Sequence, residues 1–188
     1  MSEQSRTPAM NDEGIKDTPY STVSLETTLL HGLFSCPARF VCEIVDALER
    51  MDFADDDHYE ICALIAANAR EVVRQAPGDC LNPVVVQAQL RDAGRLTESM
   101  SHKVIAVAST GRPPVSRVEI GEIVKALRLE RTRRAMRIAA DGLHAAADGS
   151  TAEMAKAISD AVHLVGLADR AGLNAGRLHA VDAVQGVA

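Results

Sequence analysis

Residues 116–172 read SRVEIGEIVKALRLERTRRAMRIAADGLHAAADGSTAEMAKAISDAVHLVGLADRAG and predict two helices in succession. Ser116 with Glu119, and Ser150 with Glu153, form the capping-box pattern, in which a Ser and a Glu three residues later satisfy each other's backbone N–H groups. A capping box marks the first turn of a helix. Each of these residue pairs therefore predicts the start of a helix.

The first of these helices is expected over residues 117–147 and the second should end at Gly172. A helix of that length extends about 45 Å, which is too long to lie across a small globule. Only residues 148–150 connect the two helices, so they should fold back on each other as an antiparallel hairpin.

The apolar spacing of both helices supports a hairpin and raises a question about partners. Apolar residues recur at steps of four and three, the period of coiled-coil seams, but Arg131 and Arg134 occupy two of these positions. Two explanations remain open. The arginine stems pack in the seam while their heads reach water, Asp160 or Asp169, or the seam also serves a second subunit. The candidate interface residues are Ile120, Val124, Leu127, Arg128, Arg131, Arg134 and Ile138. The opposing seam consists of Met154, Ile158, Ala161, Val165 and Ala168.

The rest of the chain divides around this hairpin. We expect a disordered leader over residues 1–23, a globular helical head over 24–112, the hairpin over 113–172 and a flexible tail over 173–188. Cap residues, prolines and glycines predict five short helices in the head, over residues 24–36, 38–51, 58–75, 83–93 and 97–109. The predicted fold class is all-α, with a compact bundle of about five short helices followed by a long antiparallel hairpin.

Composition agrees with this class and excludes others. Aromatic residues make up 3% of the chain, which argues against a β-sandwich, and no apolar run approaches a membrane span. The start lacks the apolar stretch of a secretory signal, and the four cysteines show no Cys-x-x-Cys spacing. We expect a cytoplasmic protein with no membrane contact and with reduced cysteines.

No motif of catalysis or cofactor binding is present. The sequence contains no Gly-Lys dipeptide, which a phosphate-binding P-loop requires, and no His-Glu-x-x-His zinc helix. Asp55, Asp56, Asp57 and His58 could suggest a metal site. Consecutive residues at a helix start point in different directions, however, so a capped helix terminus is the favoured interpretation. We predict no catalytic residue, no cofactor and no metal.

Charge is distributed unevenly. Residues 1–60 hold thirteen acidic and four basic residues, whereas residues 101–140 hold three acidic and nine basic ones, in a chain of net charge −6. The basic residues of the first hairpin helix spread around it without interleaved aromatic residues that could stack on bases. A protein partner fits this pattern at least as well as direct contact with DNA, and both remain open.

Five short motifs follow one another within residues 24–171. They are Leu25-Glu26-Thr27 with Leu30, Gly32 and Leu33; Met51-Asp52-Phe53-Ala54-Asp55 with His58 and Ile61; Val84-Val85-Val86 with Gln89-Leu90; Gly94-Arg95-Leu96; and Ile123-Val124-Lys125-Ala126 with Arg133-Arg134. In this order they resemble the N-terminal domain of the replicative DNA helicase DnaB. The sequence departs from that family at Ser99-Met100-Ser101 and over residues 115–120, so partner surfaces there should differ.

The resemblance implies a non-catalytic replication module. In that family the N-terminal domains pair through helical hairpins, form a collar above the motor ring and receive primase. We therefore expect a homodimer or higher oligomer that binds primase, the replicative helicase or its loader, without the family's ATP-driven motor. Two alternatives stay open: a subunit of a split ATP-dependent helicase whose motor lies on another chain, and a DNA-binding or helicase-antagonist protein that acts through its basic helix.

Overall fold

The computed structural model describes residues 22–109 and 113–173, and the regular elements of this part of the chain are helical. The elements are α1 (Thr22–Phe34), α2 (Ala38–Val45), a 3-10 turn (Arg50–Asp52), α3 (Asp56–Gln75), α4 (Pro83–Asp92), α5 (Glu98–Ala108), α6 (Arg117–Ala147) and α7 (Thr151–Arg170). The all-α class, with a bundle of short helices and then a long hairpin, is confirmed. The predicted leader and tail lie outside the described residues, apart from Thr22 and Val23, which belong to α1, and Leu173. None of the described helices has the length and apolarity needed to cross a bilayer.

Local capping residues set most helix starts. The Asp55 carboxylate accepts the N–H groups of Asp57 and His58 at the start of α3, and Asn82 accepts from Val84 at the start of α4. Ser116 and Ser150 form complete capping boxes at the starts of α6 and α7. Because each cap depends on neighbours in sequence, these helix starts could be predicted without knowledge of the packing.

The head is built around α1, which packs against α3, α5 and α6. Leu29, Leu30 and Leu33 on α1 are fully buried, together with Ile61 and Ile65 on α3. A helix that is apolar on most of its faces lies at the centre of a bundle. Helix α1 is therefore the element around which the other head helices assemble.

Helix α2 is shorter than the sequence predicted. It ends at Val45 instead of continuing to about residue 51, and a separate 3-10 turn follows at Arg50–Asp52. Glu49 has an extended backbone, and its N–H group donates to the Asp52 carboxylate over 2.8 Å. The Ala47 carbonyl accepts a hydrogen bond from Arg128 on α6. The local capping box of Glu49 and Asp52 starts the 3-10 turn, and the long-range bond from Arg128 holds the segment between this turn and α2.

The first turns of α6 belong to the head. Ile120, Ile123, Val124 and Leu127 are buried in the head core. The predicted boundary at residue 113 thus separates residues that share one core. Only the later turns of α6, together with α7, form the projecting part of the hairpin.

A close approach between α1 and the start of α6 holds this arrangement. A Cβ atom added to Gly32 would lie 2.9 Å from Val115 Cβ and 3.2 Å from Ile120 Cδ1. Contacts this short force the neighbouring backbone to shift. Gly32 is therefore required for the close packing of α6 on α1.

We predict that Gly32→Ala destabilises the protein by about 1–3 kcal/mol, because the overpacking cost exceeds the gain in helix propensity. Gly121→Ala is the matched control, since a Cβ atom at this α6 glycine meets nothing within 4 Å. The control should raise the free energy of unfolding by about 0.5–1 kcal/mol. Urea unfolding followed by circular dichroism measures both, and equal stability of the two variants would contradict the packing argument.

Candidate interaction surface

Three of the seven candidate interface residues do not form a surface. Ile120, Val124 and Leu127 are 0, 7 and 0% exposed and pack within the head core, where α1 covers this part of α6. This corrects the expectation that they face a partner. The seam period correctly indicates a buried stripe over these three residues, but the chain's own head packs against them, and the stripe does not continue to Ile138, which is 72% exposed.

The three candidate arginines bind the loop that follows α2. Arg128 donates to the Ala47 carbonyl over 2.6 Å, and Arg134 donates to the Met51 carbonyl over 2.9 Å. Arg131 lies between them and pairs with Glu49 at 2.7 Å and Asp52 at 3.2 Å. We call Arg128, Arg131 and Arg134 the arginine brace.

The electrostatics of the brace favour the charged form of Arg131. Burial opposes the charge of Arg131, but hydrogen bonds and attraction from Glu49 and Asp52 outweigh it and raise the arginine pKa. The hydrogen bond from Arg131 is the main cause that lowers the pKa of Glu49. Asp52 is only 1% exposed, so its carboxylate depends on Arg131 and on the Glu49 N–H group. The brace thus neutralises buried acidic charge inside the chain.

Other bases of α6 also have partners within the helix. Lys125 donates to Glu122 over 2.6 Å, and Arg133 pairs with Glu130. Both pairs are three residues apart on the same helix. Together with the brace, they leave a smaller free basic surface on α6 than its sequence suggests.

The projecting part of the hairpin buries little of its apolar surface. Helix α7 contributes one buried residue, Ala168, although it spans 20 residues. An amphipathic helix is normally stabilised by packing an apolar stripe against neighbouring elements. Apart from the face that contacts α6, most of α7 has no such neighbour among the described residues.

One side of the hairpin is a groove of about 530 Å³. Small residues of α6, among them Ala135, Ala139 and Gly142, form its floor. The charged and polar side chains of α7 line this side, in the order Glu153, Lys156, Asp160 and His163. Ile138, the seventh candidate interface residue, also lines the groove and is 72% exposed.

The opposite side carries large apolar side chains. On α6, Met136 follows the groove residue Ala135 and Leu143 follows the groove residue Gly142. Because one residue turns a helix by about 100°, Met136 and Leu143 lie on a different face from the groove residues. On α7 the residues at steps of four, Met154, Ile158 and Val162, do not line the groove either. We call these five residues the apolar flank; their exposed fractions are Met136 54%, Leu143 40%, Met154 38%, Ile158 59% and Val162 65%.

The apolar flank was only partly found from the sequence. The seam prediction is wrong for Met154 and Ile158, which it places in the packed seam of the hairpin and which are 38 and 59% exposed. It does not include Met136, Leu143 or Val162. For Val162 the signal is the distribution of charge on α7, because the acidic and basic residues of α7 between 153 and 163 all line the groove. No such signal identifies Met136 and Leu143, which lie on α6. On α7, the side away from the groove therefore carries no acidic or basic residue between 153 and 163.

The acidic segment 55–58 forms a polar network within the head. Lys103 Nζ lies 2.6 Å from an Asp55 oxygen and 2.8 Å from an Asp57 oxygen, and Asp56 pairs with Arg50. His58 donates from Nδ1 to the fully buried Glu26 on α1 over 2.8 Å. Each member of the segment has a protein partner, and the segment joins α1, α3 and α5. No group of three or more potential metal-binding side chains occurs within the described residues.

Comparison of the chain with protein-family models, with curated proteins and with solved structures finds no match.

Replacement of Arg131 by Met should lower the free energy of unfolding by about 2–4 kcal/mol, because Asp52 would keep a buried charge without its cationic partner. Arg137→Met on the exposed side of the same helix is the control, with an expected change within about 0.5 kcal/mol. Adding Asp52→Asn to Arg131→Met should restore part of the loss. A double variant no more stable than Arg131→Met alone, in urea unfolding, would contradict the charge argument.

The Lys103 pairs make stability depend on pH in a defined direction. Burial raises the pKa of Asp55, but bonds from Lys103 and the His58 N–H outweigh it, and the net pKa lies below 3.8. The pKa of Lys103 lies above 10.5, since its bonds to Asp55 and Asp57 exceed the effect of burial. An acid whose pKa is lowered by folding stabilises the folded protein at pH values above its unfolded pKa, and this contribution is lost on acidification. A lysine whose pKa is raised by folding stabilises the folded protein below its unfolded pKa, and this contribution is lost in alkali.

Lys103→Met should therefore destabilise the protein by about 1–2 kcal/mol at neutral pH, with the difference from wild type shrinking as the pH falls below 3.8 or rises beyond 10.5. Lys125→Met is the control, because its pair with Glu122 is exposed and should contribute little at any pH. Thermal unfolding across the pH range measures both. A pH-independent difference for Lys103→Met would argue against the ion pairs as its cause.

Proposed function

We propose that the protein is a non-catalytic, all-α module of DNA replication that dimerises through the apolar flank of its hairpin and engages primase, the replicative helicase or its loader. The observation that carries the dimer is the apolar flank on a helix that buries one residue within its own chain. The replication role is supported by the sequence motifs that resemble the DnaB N-terminal domain. The absence of a P-loop motif from the sequence supports a role without catalysis.

The size of the apolar flank is consistent with a reversible dimer. Full burial of one large aliphatic side chain contributes about 1.5–3 kcal/mol, and the flank residues are each about half exposed. Two copies would then gain on the order of 10 kcal/mol. Association costs roughly 4–15 kcal/mol in lost freedom. At the lower end of this cost the net gain is about 6 kcal/mol, which corresponds to a dissociation constant on the order of tens of micromolar.

A second copy of the chain is the occupant that the chemistry of the flank favours. Its side chains offer no charge that a charged partner could recognise, and an uncharged apolar surface is self-complementary. A two-fold axis brings the same patch of each copy together. The charged residues of α7 would then remain in the groove, on the side away from the second copy.

Direct DNA binding is less favoured by the geometry. The guanidinium groups of the arginine brace already form ion pairs with Glu49 and Asp52 and hydrogen bonds to nearby carbonyls. Phosphate contact by Arg131 would require that it leave the buried Asp52 carboxylate, at a cost of several kcal/mol, and contact by Arg128 or Arg134 would break their bonds to the loop carbonyls. A protein partner needs no such rearrangement.

Ile158→Glu should convert the dimer to a monomer, because a carboxylate on each copy would be buried without a partner. Ile105→Glu on α5 is the matched control, since both isoleucines are 59% exposed. Sedimentation equilibrium at increasing protein concentration should show a dimer for wild type and Ile105→Glu only. A wild-type monomer throughout the micromolar range would remove the dimer from the proposal.

Binding of purified primase, replicative helicase and loader from the same cell tests the replication role. Direct binding of one of them by wild type, measured by light scattering of the mixture, is the expected result. Failure of all three to bind an intact dimer would overturn the replication role and leave the dimer standing. Salt-dependent binding of a DNA duplex with none of the proteins bound would favour the DNA alternative instead.

A further inference from the structure

The groove on the hairpin has the dimensions of a site for a third helix. Its floor consists of small residues of α6, and Leu164 and Leu167 of α7 also line it. The distance between two packed helices depends on the side chains at the contact, so small residues allow a close approach. From Glu153 to Leu167 the groove follows α7 for about 21 Å, which is the length of about four helical turns.

Helix α7 ends by turning the chain back toward one end of this groove. Gly172 has a φ of 81°, and its N–H group donates to the Asp169 carbonyl over 3.0 Å. The Leu173 N–H group donates to the Ala168 carbonyl over 2.9 Å. These two bonds form the Schellman motif that ends many helices. They hold Leu173 beside Ala168, the residue that directly follows the groove residue Leu167.

The sequence that follows is long enough to occupy the groove. Residues 174–188 read NAGRLHAVDAVQGVA and lie outside the described part of the chain. Asn174 is a preferred residue at a helix start and Gly186 is typical of the position after a helix end, so the sequence predicts a helix over residues 175–185. Such a helix is about 17 Å long and fits within the groove.

The charges of this segment match the groove and not the apolar flank. On a helix, Arg177 and Asp182 lie on the same half as the apolar residues Leu178 and Val181, because successive residues are about 100° apart. The apolar flank would bury both charges without a partner, at a considerable cost in free energy.

The groove, in contrast, offers a partner for each charge. Lys156 and Asp160 line it and pair with each other at 2.7 Å. A helix that starts beside Ala168 and runs antiparallel to α7 brings Arg177 within about one turn of Asp160 and Asp182 within about one turn of Lys156.

We infer that residues 174–188 fold back into the groove of their own chain, as a third helix antiparallel to α7. The sequence alone predicts a flexible tail here, because no local pattern reveals the groove. The fold-back covers the small-residue floor and the leucines of α7 with the segment that starts beside them. It leaves the apolar flank as the side of the projecting hairpin that a second copy can meet.

Amide hydrogen exchange of the full chain tests the fold-back. The amides of residues 178–185 should exchange at least about tenfold more slowly than in a synthetic peptide of residues 174–188, because a packed helix protects them. This protection should not depend on protein concentration. Exchange at the rate of the peptide would overturn the proposal. Protection that rises with concentration would place the segment of a second copy in the groove and would overturn the fold-back within one chain.

A pair of alanine variants tests the location. Ala157 lines the groove, whereas Ala155 is exposed and does not line it. Ala157→Phe should abolish the protection of residues 178–185 by filling the groove, and Ala155→Phe should leave it unchanged. Unchanged exchange of the α3 amides shows that both variants remain folded. Retained protection in Ala157→Phe would overturn the groove as the site.

Exchange of the two charges tests the direction of the helix. Asp160→Arg and Arg177→Asp should each reduce the protection about two- to fivefold, the effect of a partly exposed ion pair. The double variant should regain most of it. A double variant no better protected than either single one would overturn the antiparallel register. Ile158→Glu on the apolar flank should keep full protection, so the fold-back and the proposed dimer can fail separately.

Discussion

A buried carboxylate in the connection between α2 and α3 fixes the direction of the longest helix. Asp52 is 1% exposed, and the loop around it is held by Arg131 and its two neighbours in the arginine brace. Loss of either charge would leave the other poorly compensated in a region of low dielectric. The buried apolar side chains at the start of α6 provide the second attachment. Two attachments, one apolar and one ionic, define how the hairpin leaves the head.

The local parts of this fold could be predicted from sequence. Ser116 with Glu119 and Ser150 with Glu153 place the starts of α6 and α7, and Asn82 with Pro83 places the start of α4. Each of these signals acts within one helical turn. Because the connection after Ala147 is short, α6 and α7 must fold back on each other as an antiparallel hairpin. Fold class and hairpin therefore followed from neighbouring residues alone.

The nonlocal parts could not be predicted in this way. Arg131 pairs with residues about eighty positions earlier in the chain, and no local pattern identifies such partners. The period of the α6 seam showed which residues are buried but not which element buries them. The same limit applies to the segment after α2, where Arg128 bonds to the Ala47 carbonyl from 81 residues later in the chain. The apolar flank could be located only in the structure, which places the charged residues of α7 between 153 and 163 in the groove on the other side of the hairpin.

The hairpin is attached to the head at one end only, through the brace and the buried turns of α6. From Arg134 to Ala147 it extends about 20 Å without a further contact element. A rod held at its base converts a small rotation there into a larger displacement at its tip, and a turn of about 10° moves the end of α6 by about 4 Å. The ion pair between Arg131 and Asp52 therefore helps to set the angle at which the hairpin leaves the head. In the proposed dimer, loss of this ion pair would change the distance between the two heads.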